Sequence, residues 1–419
     1  IHKAMRRSLC RGKYKTIPRP VLINNWEATY FDFTGEKILD IARQASELGI
    51  EMLVLDDGWF GSRDSDNAGL GDWFVNTDKL KGGLTDLVTG INGLGMKFGI
   101  WIEPEMVNED SRLYREHPDW ALTIPGRKPC RSRNQLVLDM SRSEVRDYVF
   151  DSIAAVLKSA NVEYVKWDMN RSICDVYSAA LPKERQGEVY HRYVLGIYDL
   201  MERFTSSFPN ILFEGCSGGG GRFDPAILYY SPQIWCSDDT DGIERLEIQY
   251  GTSFFYPISA VGSHVSAIPN HQTGRRTPLA TRGVVAMAGS FGYEMDLNLL
   301  TEDEKEAVKA QVEDYKKYYD LIHNGDYYRL TSPQGDSGFT AWQFVSGDKT
   351  RTLLNLVITH VRANAPDLWF KLRGLDPEKR YRLEENGRIY SGSALMNAGI
   401  SIPMIMGDYP AVQMVLTEV

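Results

Sequence analysis

The 419-residue sequence predicts a (β/α)8 TIM barrel followed by a C-terminal antiparallel β-sandwich. Short apolar stretches alternate with amphipathic ones from about residue 20 to 300, which is typical of parallel strands and helices. Polar and aromatic residues follow most of the apolar stretches, and TIM barrels carry their active sites at the C-terminal ends of the strands. Beyond about residue 325 the pattern changes to short alternating stretches separated by turn residues, which indicates antiparallel strands.

The elements of the barrel follow in chain order. Predicted strands lie at about 21–24, 52–55, 97–102, 135–139, 162–167, 211–215, 233–236 and 258–263. The clearest helices are 143–159, 188–206 and one that Thr34 caps and Gly49 ends. The last helix begins at a capping box formed by Thr301 and Glu304. A Rossmann-like sheet is disfavoured because no Gly-rich turn follows the first strand.

We predict three regions along the chain. Residues 1–19 are interpreted as a linker from a missing N-terminal domain, since the chain starts at Ile1 and not at Met. The alternative is a nucleic-acid arm, because this segment holds seven Lys or Arg residues and no acid. Residues 20–325 form the catalytic barrel, and residues 326–419 form the β domain.

Composition narrows the classes of partner and location. The formal net charge of −9 and the pI near 5.4 argue against nucleic acid or an anionic membrane and favour a neutral ligand. The sequence has no apolar run near 18 residues, so we expect no transmembrane helix, and we find no signal-peptide pattern. Five widely spaced cysteines fit reduced thiols in a cytoplasmic protein better than a disulfide framework.

Two aspartates, Asp168 and Asp238, are the strongest candidates for catalysis. Each follows a predicted strand, and they are 70 residues apart, about two β/α units, so a barrel would direct both into one mouth. A carboxylate pair without metal ligands suits retaining glycoside hydrolysis. Lys166 and Asn170 share a strand face with Asp168, and a cation and an amide favour its ionised form. The alternative is a structural Asp–Lys pair.

The cluster around Asp238 also contains Asp239 and Asp241. One carboxyl group must hold a proton to act as an acid, and crowded carboxylates raise one another's pKa. A run of helix-capping residues is the alternative, which we expect to apply to Asp239 or Asp241.

Two further motifs follow predicted strands. Asp56 and Asp57 precede Gly58 and Trp59, a combination that suits sugar hydroxyls and the apolar face of a pyranose. A metal site is the competing interpretation, but no further ligands lie at suitable spacing. Cys216 precedes a run of glycines that lets the backbone approach a ligand closely, whereas a phosphate loop would continue differently. A nucleophilic Cys216 served by His264 is the alternative.

These motifs resemble glycoside hydrolase family 36, the bacterial and fungal α-galactosidases. The matching stretches are 24–28, 55–60, 71–73, 99–106, 165–171, 214–220 and 235–241. The resemblance implies that Asp168 is the nucleophile and Asp238 the acid/base. The galactose contacts that it implies are Asp56, Asp57, Trp101, Arg133, Lys166, Cys216 and Gly218. We also predict that Asn170, Trp235 and Trp26 bind substrate.

The resulting prediction is a retaining exo-α-galactosidase that acts on melibiose, raffinose and related α-1,6-galactosides, without a cofactor or metal. Family members usually carry an N-terminal β-sandwich that also supports tetramers, so a homo-oligomer is expected by resemblance. Alternatives within the family are an α-N-acetylgalactosaminidase and a galactosyl-transferring enzyme. A catalytically inactive carbohydrate-binding protein and a phosphosugar isomerase are the alternatives from other classes.

Overall fold

The computed structural model describes residues 1–335, 337–364, 367–402 and 405–419. The strands are β1 Leu22–Asn24, β2 Met52–Leu55, β3 Lys97–Ile102, β4 Met106–Val107, β5 Leu136–Val137, β6 Tyr164–Trp167, β7 Leu212–Gly215, β8 Gln233–Trp235, β9 Val261–Ser266, β10 Ser290–Glu294, β11 Asp326–Arg329, β12 Phe339–Val345, β13 Arg351–Ile358, β14 Leu368–Phe370, β15 Arg380–Leu383, β16 Ile389–Ser391, β17 Ile400–Ile402 and β18 Ala411–Glu418.

The α-helices are α1 His2–Ala4, α2 Trp26–Thr29, α3 Gly35–Glu47, α4 Gly83–Gly93, α5 Arg112–Glu116, α6 Ser143–Ser159, α7 Val189–Ser207, α8 Glu244–Thr252, α9 Leu279–Ala286, α10 Glu302–Asn324 and α11 Gly392–Asn397. Shorter helical turns lie at Met5–Leu9, Lys13–Lys15, Pro118–Trp120, Lys183–Glu188, Pro225–Tyr229, Ile258–Ala260 and Leu297–Leu299. No helix in the described part of the chain is both long and apolar enough to cross a membrane.

A closed eight-stranded barrel forms the first part of the fold, as the alternating pattern predicts. Its strands follow one another around the ring in the order β1, β2, β3, β6, β7, β8, β9 and β10. The pairings from β1 through β8 are parallel. Strand β2 is buried along its whole length, which explains its uninterrupted apolar sequence.

Two helix starts were predicted from their capping residues, and both are confirmed. The Thr34 side chain accepts a hydrogen bond from the Lys37 N–H at the start of α3. Thr301 and Glu304 form a reciprocal capping box at the start of α10. These caps satisfy N–H groups that have no partner within the helix.

One predicted barrel strand is wrong. The stretch 135–139 contributes β5, which pairs antiparallel with β4 outside the barrel. The eighth barrel strand is instead β10, a Ser-Phe-Gly-Tyr-Glu sequence that was not predicted. An apolar run predicts a strand but not its partner, and the glycine and polar ends of β10 weaken its signal. Asp168 therefore follows the fourth barrel strand, and His264 lies within β9.

The C-terminal region contains two antiparallel sheets, as predicted. In its described residues, one sheet has the order β11, β12, β13, β18, β15 and β16, and the other pairs β14 with β17. A single hydrophobic core joins residues of both sheets, among them Leu354, Leu356, Phe370, Tyr381, Ile402 and Leu416. This shared core is the packing expected of a β-sandwich.

The chain divides into two compact units. The first contains Ala4–Trp235 with Glu294–Leu299, and the second contains Ile1–Lys3, Cys236–Tyr293 and Leu300–Val419. Within the first unit, the basic N-terminal segment is anchored by its own side chains. Arg11 forms an ion pair with Glu202 at 2.5 Å, and Arg19 donates to the Pro232 carbonyl oxygen at 2.8 Å.

Candidate active site

Asp168 lies in the first unit, directly after β6, and it is buried. Its Oδ2 accepts hydrogen bonds from Trp101 Nε1 at 3.1 Å and from Asn170 Nδ2 at 2.7 Å. Its Oδ1 accepts from the backbone N–H groups of Met169 at 2.8 Å and Gly218 at 3.1 Å. Four donors therefore fix both carboxylate oxygens in place.

These contacts keep Asp168 ionised. Burial alone would raise the pKa of its carboxyl group, but the Lys166 charge and hydrogen bonds from Cys216, Gly218 and Met169 hold that pKa below its ordinary value. Gly218 has a φ of 53°, a left-handed conformation that glycine adopts without strain. An anionic carboxylate at neutral pH is what a covalent nucleophile requires.

Asp56 and Lys166 form a buried ion pair beside Asp168. Lys166 Nζ lies 3.1 Å from Asp56 Oδ2, and Asn24 Nδ2 donates to the same oxygen at 2.6 Å. Burial would lower the pKa of Lys166, but Asp56 raises it well above its usual value, so the amine stays charged. Lys166 Nζ also lies 5.4 Å from the centre of the Trp235 ring.

Asp57 is also buried, and its partner is an arginine that sequence reasoning missed. Arg63 donates from Nη2 to Asp57 Oδ2 at 2.7 Å and from Nε to Asp57 Oδ1 at 3.0 Å. A bidentate ion pair of this kind fixes the plane of the carboxylate. Arg63 lies six residues after Asp57 in a loop, where no periodic pattern distinguishes it.

Two predicted substrate-binding residues lie apart from the contacts of Asp168. Arg133 is exposed in a loop, with Nη2 3.5 Å from Asp66 Oδ1. Trp26 is half-buried at the start of α2, and its ring packs edge-on against Tyr30 and Phe31 at centroid distances of 5.2 Å. Their assignment to substrate stays a prediction.

The predicted residues that the structure brings together share contacts with Asp168 or Lys166. They are Asp56, Trp101, Lys166, Asp168, Asn170, Cys216, Gly218 and Trp235. Asp57 adjoins them, because its N–H donates to Asp56 Oδ1 at 2.9 Å. We call this set the Asp168 cluster.

Glu103 follows β3 and is a second buried carboxyl group near Asp168. Its Oε1 accepts from the Asn170 N–H at 2.5 Å, and its Oε2 accepts from Gln135 Nε2 at 3.1 Å. Burial and the neighbouring Asp168 charge raise the pKa of Glu103 to about 8. The group is therefore protonated at neutral pH.

Gln135 can accept a hydrogen bond from the protonated carboxyl group of Glu103. Within the described residues, Gln135 Oε1 is buried and has no hydrogen-bond partner. Turning the Gln135 amide over would place this oxygen where protonated Glu103 can donate to it. Sequence reasoning did not assign Glu103 to the site, because a pattern does not show burial.

Asp238 lies in the second unit, three residues after β8, and it is exposed. The buried side chain of Arg245 holds the loop on both sides of it. Arg245 Nη2 donates to the Ser237 carbonyl oxygen at 2.8 Å, and Nε donates to the Asp239 carbonyl oxygen at 2.7 Å. Arg245 is therefore another positioning residue that sequence reasoning missed.

Asp241 has a structural role, as the helix-capping interpretation predicted. Its Oδ1 accepts from the N–H groups of Ile243 at 2.8 Å and Glu244 at 3.2 Å, where α8 begins. Arg275 Nη1 lies 2.5 Å from the same oxygen. Burial opposes ionisation, but these contacts hold the pKa of Asp241 below its ordinary value.

A cavity of about 620 Å³ opens beside the Asp168 cluster within the first unit. Asn170 and Gly218, which both donate to Asp168, line it together with Tyr190, Tyr198 and Arg222. Among the residues that the structure describes, no group of three or more His, Cys, Asp or Glu side chains is placed to hold a metal ion.

The sequence matches two family models. Residues 1–325 match the melibiase model, and residues 339–416 match the C-terminal domain model of glycosyl hydrolase family 36. The chain is 57% identical over 417 residues to the bifunctional α-galactosidase/sucrose kinase AgaSK of Mediterraneibacter gnavus, an alignment that covers 100% of this chain and 44% of that protein. It is 55% identical over 409 residues to the α-galactosidase AgaA of Geobacillus stearothermophilus, with coverage of 97% and 56%.

Solved structures agree with these matches. The crystal structure of AgaA from Geobacillus stearothermophilus has a TM-score of 0.98 at 54% identity and covers 100% of this chain and 58% of its own. A variant of AgaA has been solved in complex with raffinose. The chain spans about half the length of the curated relatives it matches. The motif-based resemblance is thus confirmed, and the chain belongs to glycoside hydrolase family 36.

Proposed function

We propose that this chain carries the catalytic machinery of a retaining exo-α-galactosidase that releases terminal α-1,6-linked galactose from melibiose, raffinose and related oligosaccharides. The observation that carries the proposal is the environment of Asp168, a buried carboxylate that four donors and the charge of Lys166 hold ionised. The names of the relatives and the raffinose complex of an AgaA variant support the substrate class.

In the first step, an Asp168 oxygen attacks the anomeric carbon of galactose. The bond from this carbon to the leaving oxygen breaks, and Asp238 gives that oxygen a proton. The exposure of Asp238 suits this role, because the water that attacks in the second step must be able to reach it. Asp168 follows β6 and Asp238 follows β8, and TIM barrels carry their active sites at the C-terminal ends of their strands.

In the second step, Asp238 takes a proton from water, and the water oxygen attacks the anomeric carbon. The ester to Asp168 breaks, so galactose leaves with its α configuration after two inversions. Asp168 then regains its negative charge. The four donors stabilise that charge without moving, because they already point at the carboxylate.

Recognition of galactose falls to the charged pairs next to the nucleophile. Asp56 is shared between Lys166 and Asn24, and Asp57 is held by Arg63. Oriented carboxylates that keep free lone pairs can accept hydrogen bonds from sugar hydroxyls distant from the scissile bond.

We also propose a cytoplasmic location, which the cysteine pattern supports. The family resemblance supports assembly into a homo-oligomer such as a tetramer, which we propose as well.

The decisive experiment follows the product anomer by proton NMR while the protein hydrolyses 4-nitrophenyl α-galactoside. We expect α-galactose to form first and to mutarotate later. Release of β-galactose would exclude the double displacement through Asp168. An Asp168→Asn variant is the matched control, because any hydrolysis that it retains comes from a contaminating enzyme.

A further inference from the structure

Two cysteines lie where two loops of the first unit meet. Cys130 lies in the loop that leads to Arg133, and Cys174 lies four residues after Asn170. One guanidinium group, that of Arg171, contacts both cysteines. Both cysteines are free in the structure.

The side chains around the two thiols hold the loops together. Arg171 donates from Nη1 to the Cys130 carbonyl oxygen at 2.8 Å and from Nη2 to Cys174 Sγ at 2.5 Å. Asp175 Oδ2 accepts from the Cys130 N–H at 2.5 Å. The folded chain thus holds the two cysteines beside one guanidinium group before any bond forms between their sulfur atoms, which lowers the entropic cost of joining them.

We propose that Cys130 and Cys174 are a redox modification site that forms a reversible intramolecular disulfide. The oxidant is a low-molecular-weight disulfide such as oxidised glutathione. The Cys130 thiolate attacks one glutathione sulfur, so the glutathione disulfide bond breaks and one glutathione thiolate leaves. The Cys174 thiolate then attacks Cys130 Sγ and releases the second glutathione thiolate. Two electrons pass to glutathione, and the two protein protons end on the released thiols.

Burial sets the order of these attacks. Cys130 is exposed and therefore open to glutathione, whereas Cys174 is half-buried. Burial and the nearby Cys130 side chain raise the pKa of the Cys174 thiol in spite of Arg171, so Cys174 serves as the second thiol. Cys10 and Cys216 are buried, so they are protected from the same reagent.

The disulfide would also change the active site, an effect that rests on the proposed function. A disulfide needs sulfur atoms about 2 Å apart, closer than two unbonded thiols can come, so the two loops must approach. One loop carries Arg133, a predicted galactose contact, and the other follows Asn170, which donates to Asp168. We expect oxidation to raise KM about tenfold, the order of one lost hydrogen bond to a charged group.

The test oxidises the protein in glutathione buffers of graded redox potential, blocks the remaining thiols with iodoacetamide, and analyses unreduced peptides by mass spectrometry. We expect one linked peptide that contains Cys130 and Cys174 and that disappears after dithiothreitol. Stable glutathione adducts on Cys130 without the linked peptide would overturn the proposal. The Cys174→Ser variant should hold that adduct, because it lacks the second thiol.

Kinetics with 4-nitrophenyl α-galactoside complete the test. The KM of the wild type should rise on oxidation and return on reduction, whereas the Cys130→Ser/Cys174→Ser variant should not respond. Cys10→Ser is the matched control and should respond like the wild type. An unchanged KM in fully linked protein would overturn the effect on the site. A reduced protein without galactosidase activity would instead count against the proposed function, while the linked peptide would still decide the disulfide.

Discussion

Lys166 Nζ lies 3.1 Å from Asp56 Oδ2, so an ion pair joins the ends of two barrel strands that are not neighbours. Asp56 follows β2 and Lys166 lies in β6, with β3 between them in the ring. The side chains are only 5% and 7% exposed, so each charge depends on the other. The pair therefore fixes the geometry beside Asp168, and removal of either partner leaves a buried charge unpaired.

The first prediction concerns this pair. Asp56→Asn removes the charge that compensates buried Lys166, so we expect the free energy of unfolding to fall by roughly 3 kcal/mol. Urea titration followed by circular dichroism measures the change. The double variant Asp56→Asn/Lys166→Met should recover part of the loss, since it leaves no unpaired charge. Equal stability of Asp56→Asn and the wild type would show that the pair does not stabilise the fold.

The second prediction concerns Cys216. Its hydrogen bond helps to hold the pKa of Asp168 low, so Cys216→Ala should raise that pKa. Since Asp168 must be ionised to attack, the acid limb of the kcat/KM profile should move to higher pH. A pH series with 4-nitrophenyl α-galactoside measures the limb, and Cys10→Ala serves as the control. If the acid limb of Cys216→Ala lay at the same pH as that of the wild type, Cys216 would have no influence on the pKa of Asp168.

The third prediction distinguishes the two carboxyl groups that we propose as catalytic. Asp168→Gly should abolish turnover, because no other group can form the covalent intermediate. Asp238→Gly should spare the first step on an activated aryl galactoside, which needs little protonation, and should stall at the second step. Azide needs no base, so it should restore turnover of Asp238→Gly and give α-galactosyl azide.

The configuration of the azide product decides this assignment. Asp168→Gly can give only β-galactosyl azide, because a single displacement inverts the anomeric carbon. Proton NMR distinguishes the two azides. If Asp238→Gly gave the β product, the two catalytic roles would have to be exchanged.

The fourth prediction concerns sugar specificity. Galactose and glucose differ in the direction of the C4 hydroxyl, and a site that holds this group between Asp56 and Asp57 loses both contacts with glucose. Each hydrogen bond to a charged group that is lost costs about 1.5–3 kcal/mol, so kcat/KM for the α-glucoside should be lower by ~100-fold or more. Parallel assays of the two 4-nitrophenyl glycosides test this. Similar values would show that these aspartates do not recognise the C4 hydroxyl.

The fifth prediction follows from the raised pKa of Glu103. The folded protein keeps its proton up to about pH 8, whereas the unfolded chain loses it near the ordinary value of 4.5. Stability from this group is therefore present at low pH and falls by up to ~1.4 kcal/mol per pH unit between these two values. Melting temperatures of Glu103→Gln should fall less than those of the wild type from pH 5.5 to 8. If the melting temperatures of the two proteins fell equally with pH, Glu103 would already be ionised in the folded wild type.

The sequence pattern was sufficient to predict the barrel and the β-sandwich, because apolar periodicity and helix caps act locally. It failed to predict which strands pair with one another. Residues 135–139 have a strand sequence, but β5 pairs with nearby β4 and leaves the ring to β10. The contacts that distinguish a barrel strand from a hairpin strand are long-range, so a single segment does not contain them.

The residues of the candidate site were also predicted only in part. Asp168 and Lys166 were predicted because they share a strand face, and the structure places Asp168 among four donors. Arg63, Arg245 and Glu103 were missed as members of the site. Their roles arise from burial against partners distant in space, and burial of a charged side chain leaves no mark on the local sequence.

The position of β10 has a consequence for any attempt to shorten the chain. This strand fills the place between β9 and β1, and it begins only at Ser290. A chain that ended before this residue would leave β9 and β1 with unpaired N–H and C=O groups along one side. Such open edges recruit strands from other molecules, so the shortened chain should aggregate. The smallest barrel that stays monodisperse must therefore extend at least through Glu294.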